Sequence, residues 1–345
     1  MPPPTPQPTL YGPSQWPALT ERVLARSWHV IARIDEVPPG SVYPATLLPG
    51  VLDEPVLLVR DAAPASEAAT NQRSEIRAFA NVCTHRSARL CTQPAPLTTL
   101  RCPYHGRQFT LDGRCKSAPG FDSLSDEDNL APVSVATWGP LIFVAIDPAM
   151  PFTELFPREI LDPLWNPAAI HDPAGDAVYD VEANFLLWCE NFLEGFHIPF
   201  VHPALNRAID WRTYETQRHG WSSLQLAPAE SGPKVEVGGR AYAGAYVALF
   251  PTTALNFYPW GLSLNVVEPV SPTQTRVRYQ RFVHRPDLLE TGAGAGLDMV
   301  EAEDDHIVAE VQRGTRSRLA RPGRYAERWE SGVAPRHEGV ARLLR

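Results

Sequence analysis

At 345 residues the chain is long enough for one large core or two, and with 44% hydrophobic and 20% charged residues it has the balance of an ordinary globular protein. A formal charge of −8 argues against a nucleic-acid partner, which requires a net basic face. No apolar run approaches the roughly 20 residues needed to span a bilayer. The opening stretch MPPPTPQPTLYGPSQW lacks the basic and apolar segments of a secretory signal, so the expectation is a cytoplasmic protein whose five cysteines stay reduced.

The first 27 residues read as an N-terminal arm. From about 28 to 148 the predicted elements are strands and loops. "EIRAFANV" leads into a knuckle, Cys83-Thr84-His85; "RQFTLDG" follows a second, Cys102-Pro103-Tyr104-His105; "WGPLIFVAI" closes the region. A structural zinc finger takes two cysteines from one knuckle and two histidines from the other. Here each knuckle offers one of each. That interleaving suits a two-iron cluster with both thiolates on one iron and both imidazoles on the other, which raises the potential to about −150 to +300 mV. Cys91 and Cys115 lack a partner at ligand spacing and are expected as small core residues.

The next element is a helix expected from Val181 to His197, with Glu190, Glu194 and His197 on one face. Pro199 should end or kink it, letting His202 swing back towards His197. Antiparallel strands are expected over 246 to 283, broken by Pro and Gly. Within them Phe257, Tyr258 and Trp260 are candidates to stack on an aromatic substrate or cage a quaternary ammonium, against the plainer reading of core residues.

A helix over 296 to 314 should carry an apolar stripe of Leu297, Val300, Ile307, Val308 and Val311. Asp304 lies at its centre, with Glu303 and Asp305 on the flanks. A buried aspartate costs several kcal/mol unless paired or metal-bound. Asp304 is therefore the candidate carboxylate to join His197 and His202 in a facial ferrous site. His29, His171, His219, His284, His306 and His337 are expected as hydrogen-bonded core residues. The arginines at 313, 316, 318, 321, 324 and 328 are expected as a solvated or subunit-contacting face, with docking of an acidic electron donor as the lesser alternative.

The Cys-x-His and Cys-x-x-His knuckles resemble those of the Rieske proteins. With "ENFLEGFHIPFVHP", "EDDHIVAEVQRG" and the tail "GRYAERWESGV", most of the chain resembles the oxygenase (alpha) component of the Rieske non-haem iron oxygenases, the ring-hydroxylating and quaternary-ammonium monooxygenase enzymes. Two positions depart from the pattern: Ser87 where members often carry Gly, and Arg107 where they carry Trp. The resemblance implies that Cys83, His85, Cys102 and His105 hold a [2Fe-2S] cluster and that His197, His202 and Asp304 hold a mononuclear Fe(II). Glu194 would link the two centres, its other partner being a cluster histidine of the neighbouring subunit. Many aromatic dioxygenases have Asp there, so Glu194 leans towards the branch acting on choline, carnitine and related ammonium compounds.

Also implied are electrons ultimately from NAD(P)H through a separate reductase, with a ferredoxin or flavin reductase as donor, and a homotrimer. The expected fold is α+β: an arm at 1–27, an all-β Rieske domain at 28–148, and a helix-grip catalytic domain with an antiparallel sheet at 149–345. The expected function is a terminal oxygenase that hydroxylates, or N- or O-demethylates, a small quaternary ammonium or aromatic substrate. A Rieske electron carrier with a ligand-binding second domain and a zinc-stabilised binding module are the alternatives.

Overall fold

The computed structural model describes residues 4–62, 75–96, 98–207, 209–228 and 232–345; the first three residues of the N-terminal arm lie outside the described residues. The chain divides into two compact units, Trp28–Pro148, and Met1–Ser27 together with Ala149–Arg345.

The unit Trp28–Pro148 is built from β1 (His29–Arg33), β2 (Ser41–Leu47), β3 (Glu54–Arg60), β4 (Ile76–Ala80), β5 (Ala95–Pro96), β6 (Leu100–Arg101), β7 (Gln108–Phe109), β8 (Cys115–Ser117), β9 (Pro132–Trp138) and β10 (Leu141–Ala145). Seven of these form one sheet in the order β1-β10-β9-β4-β3-β2-β5, and β6-β7-β8 form a second, small sheet. Val42, Leu57, Val59, Phe79, Leu100, Phe109 and Leu130 make a core that also encloses Cys83 and Cys102. Each large apolar side chain buried there contributes roughly 1.5–3 kcal/mol. Cys91 and Cys115 pack against its edge.

The two knuckles are built alike. Cys83 N–H donates to the Ala88 carbonyl (2.8 Å) and Ser87 N–H to the Cys83 carbonyl (2.9 Å). In the second knuckle Cys102 N–H donates to Arg107 (2.8 Å) and Gly106 N–H to Cys102 (3.1 Å). The fifth residue of each turn is left-handed, Ser87 at φ 51° and Gly106 at φ 74°. Glycine adopts this conformation without strain, so Ser87 bears a steric cost that glycine would not. Arg107 is buried, with its Nη1 donating to Asp128 Oδ1 (2.7 Å) and Thr84 Oγ1 (2.9 Å). Its guanidinium lies 4.8 Å from the Phe121 ring, and its hydrogen bonds tie the first knuckle to the 126–128 turn.

The second unit contains β11 (Ile170–His171), β12 (Ala177–Val181), β13 (Glu215–His219), β14 (Ser222–Pro228), β15 (Val235–Val237), β16 (Arg240–Leu249), β17 (Thr253–Tyr258), β18 (Gly261–Ser271) and β19 (Gln274–Val283). The main path runs β11-β19-β18-β17-β16-β14-β13, with β12 on β19 and β15 on β16. The strands expected over 246–283 are β16 to β19. Gln225 pairs with Tyr246 and Tyr246 with Asn256, and period-two alternation puts Tyr258 on that same face. Phe257 faces the other way.

Helices of this unit are α1 (Trp16–Ala18), α2 (Phe152–Leu155), α3 (Arg158–Leu164), α4 (Phe185–Phe192), α5 (Ile198–Val201), α6 (Leu297–Thr315) and α7 (Val333–Leu344). No described helix is long and apolar enough to cross a membrane. The N-terminal stretch is bound into this unit. Tyr11 is buried, its hydroxyl donates to Glu190 (3.1 Å), and its carbonyl accepts from Gln312 (3.2 Å).

Two expected helices change. The helix expected over Val181–His197 is only α4, because Val181 is the last residue of a strand paired to β19 and Asn184 caps the helix by accepting from Leu186 N–H (3.0 Å). It stops at Phe192, so Glu190, Glu194 and His197 do not share a helical face. Gly195 passes so close to Tyr214 that a Cβ would come within 3.0 Å of its ring. Pro199 does not break a helix but occupies the first turn of α5, where its missing N–H costs nothing. On α6 the stripe is shifted: Val311 is 47% exposed, and Gln312 is buried in its place, its Oε1 accepting from Asn184 N–H (2.7 Å).

Ser87→Gly is expected to raise the melting temperature of the Trp28–Pro148 unit by a few degrees, consistent with about 1 kcal/mol for relief of a left-handed non-glycine residue. Differential scanning calorimetry checks this; an unchanged or lower transition would show that the serine is unstrained.

Candidate metal centres

In the first unit the donor atoms are sorted by burial. Cys83 and Cys102 are 3% and 2% exposed, whereas His85 and His105 stand at the surface with ring centroids 4.7 Å apart. The two thiols are hydrogen-bonded to one another. Backbone N–H groups of His85 and Arg86 point at Cys83, and those of Tyr104 and His105 at Cys102. Burial raises both thiols; at Cys83 it wins, while at Cys102 the amides outweigh it and hold the thiol below its ordinary value. His85 is held low by desolvation and by its neighbours His105 and Arg107. Buried sulfurs fed by amide donors and two solvent-facing imidazoles fit a cluster with one iron inside and one at the rim.

In the second unit three side chains converge although they come from the two flanks of α5 and from α6. His197, His202 and Asp304 each offer a ligand atom, all within 4.8 Å of one another. Asp304 Oδ1 is 3.0 Å from His202 Nε2 and 3.5 Å from His197 Nε2. Each imidazole is held from behind: His197 Nδ1 by Glu194 Oε1 (2.7 Å) and His202 Nδ1 by Glu303 Oε2 (2.8 Å). A proton on Nδ1 facing those carboxylates leaves both Nε2 lone pairs aimed at one point, as a metal requires. Burial disfavours the charged form of His202, but Asp304 and Glu303 outweigh it and hold the ring above its ordinary value. The donor set fits a facial divalent iron site.

Glu194 lies not on a helix but in the turn that follows α4. Its carboxylate accepts the backbone N–H of Phe196 and of His197 (3.0 Å for the latter), a local cap that competes with helix continuation. Asp305, one residue from the ligand set, faces elsewhere; burial, then the charge of Asp304, pushes it up to about 6.

Several neighbours had no readable sequence signal. Asn191 Nδ2 donates to Asp304 Oδ1 (2.6 Å). Glu303, expected only as a flank, holds His202. Glu301 accepts from the Tyr279 hydroxyl, and burial together with Asp304 pushes it up to about 8. A cavity of about 80 Å³ opens beside the three ligands, lined by Phe192, Tyr214, Tyr246, Asn256, Tyr258 and Glu301 among others. Of the aromatics anticipated at 257–260 only Tyr258 reaches it. Trp260 is core, stacked on Tyr258 and donating to the Gly294 carbonyl (3.2 Å); Phe257 is buried on the opposite face. Period-two alternation could have separated Phe257 from Tyr258 in advance; nothing local marks Tyr214 or Tyr246.

The other histidines divide. His29 is buried, and His337 is buried between Tyr325 (2.6 Å) and Glu190 (2.8 Å). His171 pairs with Asp176 (2.9 Å), partly exposed. His306 contradicts the core reading: it lies on the solvent face of α6, two positions round from Asp304.

Asn191→Ala should lower retention of the mononuclear iron about ten-fold or more, in line with loss of a hydrogen bond to a ligand, while leaving the cluster absorbance intact. Asp305→Ala should retain that iron. Iron analysis of both variants after dialysis checks this; equal iron in Asn191→Ala and the parent would remove Asn191 from the centre.

The Rieske [2Fe-2S] domain model matches residues 27–136, and that of the ring hydroxylating alpha subunit (catalytic domain) matches residues 172–345. The choline monooxygenase of Atriplex hortensis is 26% identical over 97% of this chain and 78% of its own length. The carnitine monooxygenase oxygenase subunit of Escherichia coli (strain K12) is 27% identical over 86% of this chain and 80% of its own. The fold is similar to that of the quaternary ammonium Rieske monooxygenase CntA solved with L-carnitine, at a TM-score of 0.72 and 22% identity over 99% of this chain and 96% of that one. With a Rieske domain followed by a catalytic domain that spans half its length, the chain belongs to the Rieske non-haem iron oxygenases, as an oxygenase (alpha) component.

Proposed function

We propose that the oxygenase acts on a small quaternary ammonium compound at the iron held by His197, His202 and Asp304, with electrons passed from a cluster held by Cys83, His85, Cys102 and His105. The observation that carries the reading is the meeting of three ligand atoms beside a tyrosine-walled cavity. Tyr214, Tyr246 and Tyr258 all line this cavity, and aromatic rings attract a cation. Bound there, ferrous iron supplies activation of dioxygen with electrons arriving singly from the Rieske cluster.

The protein's own groups have separate tasks in this reading. Glu194 and Glu303 fix the tautomers and angles of His197 and His202. Asn191 orients Asp304 so that Oδ1 faces the imidazoles. Tyr246 and Tyr258, edge to face at 5.8 Å, wall off water. Glu194 also lies beside exposed aromatics: Phe200 is 77% exposed, and Phe196 stacks on Trp329 at 6.1 Å. Tyr104 of the second knuckle and Phe121, whose ring meets His85 edge-on, are exposed as well. Apolar faces at both sites suit a head-to-tail homotrimer in which one subunit's cluster serves the next subunit's iron through Glu194. A separate ferredoxin or flavin reductase would deliver electrons from NAD(P)H, and five free cysteines suit a cytoplasmic setting.

With a surrogate reductase, ammonium substrates should drive oxygen uptake matched by product, and simple aromatics should not. Product from aromatics alone would overturn the substrate class and leave the oxygenase in place. Cys102→Ala should abolish the cluster spectrum; His197→Ala should keep that spectrum and lose the mononuclear iron with all turnover. Mixed rings of the two variants should regain part of the activity. Mixed rings demonstrated by native mass spectrometry yet wholly inactive would rule out transfer between subunits.

A further inference from the structure

The cavity beside the ligand set has an unbalanced charge inventory. Among the described residues it is lined by three carboxylates, Glu194, Asp304 and Glu301, and by no arginine or lysine. Two of the three are committed. Glu194 serves His197 and two backbone amides, and Asp304 faces the imidazoles and Asn191. Glu301 is different: Tyr279 takes its Oε2, and it touches neither histidine nor any cationic side chain. Burial and then Asp304 push the Glu301 carboxyl up to about 8; a divalent ion at the triad would offset Asp304, and a cation entering the cavity would favour the ionised form of Glu301. Tyr214, Tyr246 and Tyr258 line the same cavity, and burial keeps their hydroxyls neutral by raising them well above the ordinary tyrosine value.

Such a lining favours a cation through both Glu301 and the rings. It penalises a carboxylate, which would be desolvated beside Glu301 with no partner. An alcohol is easily accommodated. Asn256 spends Nδ2 on the Ser263 carbonyl (3.2 Å) and Asn265 Oδ1 (3.1 Å), which leaves its Oδ1 to accept from a hydroxyl.

We infer that the cavity selects a small monocation with an uncharged, alcohol-bearing tail, with Glu301 as its counter-charge, and discriminates against zwitterions that carry a carboxylate next to the ammonium carbon. The inference rests on the ammonium reading above and narrows it, because relatives include enzymes named for choline and for carnitine. Glu301 is thereby a specificity residue that neither the metal nor the cluster requires.

The test uses three nearly isosteric probes on the fully loaded, anaerobic enzyme, with affinity read by isothermal titration calorimetry. These are choline, glycine betaine (its carboxylate counterpart) and 3,3-dimethyl-1-butanol (its uncharged counterpart). Choline should bind on the order of ten-fold or more tightly than either. Glu301→Gln should bring choline to within a few-fold of the neutral alcohol, and Glu301→Asp should restore part of the difference, with iron content equal in all three proteins. Betaine binding as tightly as choline would overturn the inference while leaving an ammonium oxygenase standing. An unchanged choline affinity in Glu301→Gln would remove Glu301 from it. Should Glu301→Gln fail to fold, the ranking of the three probes on the parent enzyme still decides. Binding of aromatics with none of the three probes bound would defeat the ammonium reading itself, and this inference with it.

Discussion

Asp304 Oδ1 stands within 3.5 Å of two imidazole nitrogens and accepts a hydrogen bond from Asn191, and this carboxylate organises the catalytic unit around it. An anion in so enclosed a place is tolerated only if its surroundings answer it. Here two histidines do so, each turned towards it by a carboxylate from behind. The result is a ring of alternating acids and imidazoles that a divalent ion completes. The cost of leaving any member unpaired explains why α6, α5 and the turn after α4 are locked in one arrangement. Gln312 at the far end of α6 strengthens that lock by holding the start of α4 and the carbonyl of Tyr11.

The Rieske unit meets the same demand by burial and repetition. Its two knuckles use one hydrogen-bond pattern, with the cysteine's carbonyl and N–H both engaged within the turn and a left-handed residue closing it. Each turn thereby directs successive amides at its sulfur and throws its histidine outward. Thiols inside and imidazoles outside is an electronic arrangement as well as a geometric one. An iron held by the two cysteines would be shielded from solvent, and one held by the two histidines would lie at the surface, where an electron could reach it. Arg107 shows that the supporting shell is replaceable, provided that the space is filled and its charge is met by Asp128.

Much of this was legible because metal chemistry demands particular residue types at short spacings. Cys83 with His85 and Cys102 with His105 are recognisable since a spacer of one or two residues is about the reach of one ligand pair. Asp304 was legible for a different reason, an acid centred in an apolar helical stripe. The misreadings have physical causes too. A helix is expected through Glu194 because the apolar residues and good helix formers from Val181 to His197 allow one. That pattern could not register that the Glu194 side chain would take two backbone amides for itself, nor that Gly195 would be pressed against Tyr214. Val311 and Gln312 exchanged places because Gln312 has a burial partner, Asn184, that lies 128 residues away.

The sequence by itself determined the types and spacing of the candidate ligands, the strand alternation that puts Tyr258 on one face and Phe257 on the other, and the domain order. These follow from bond reach and from the periods of helix and strand, both local properties. Tertiary structure alone decided which tyrosines wall the cavity, which acids stand behind His197 and His202, and that Glu301 is left without a cation. Those depend on strands and helices far apart in the chain being brought within a few ångströms, and on which polar groups remain unpaired once every other has found its partner.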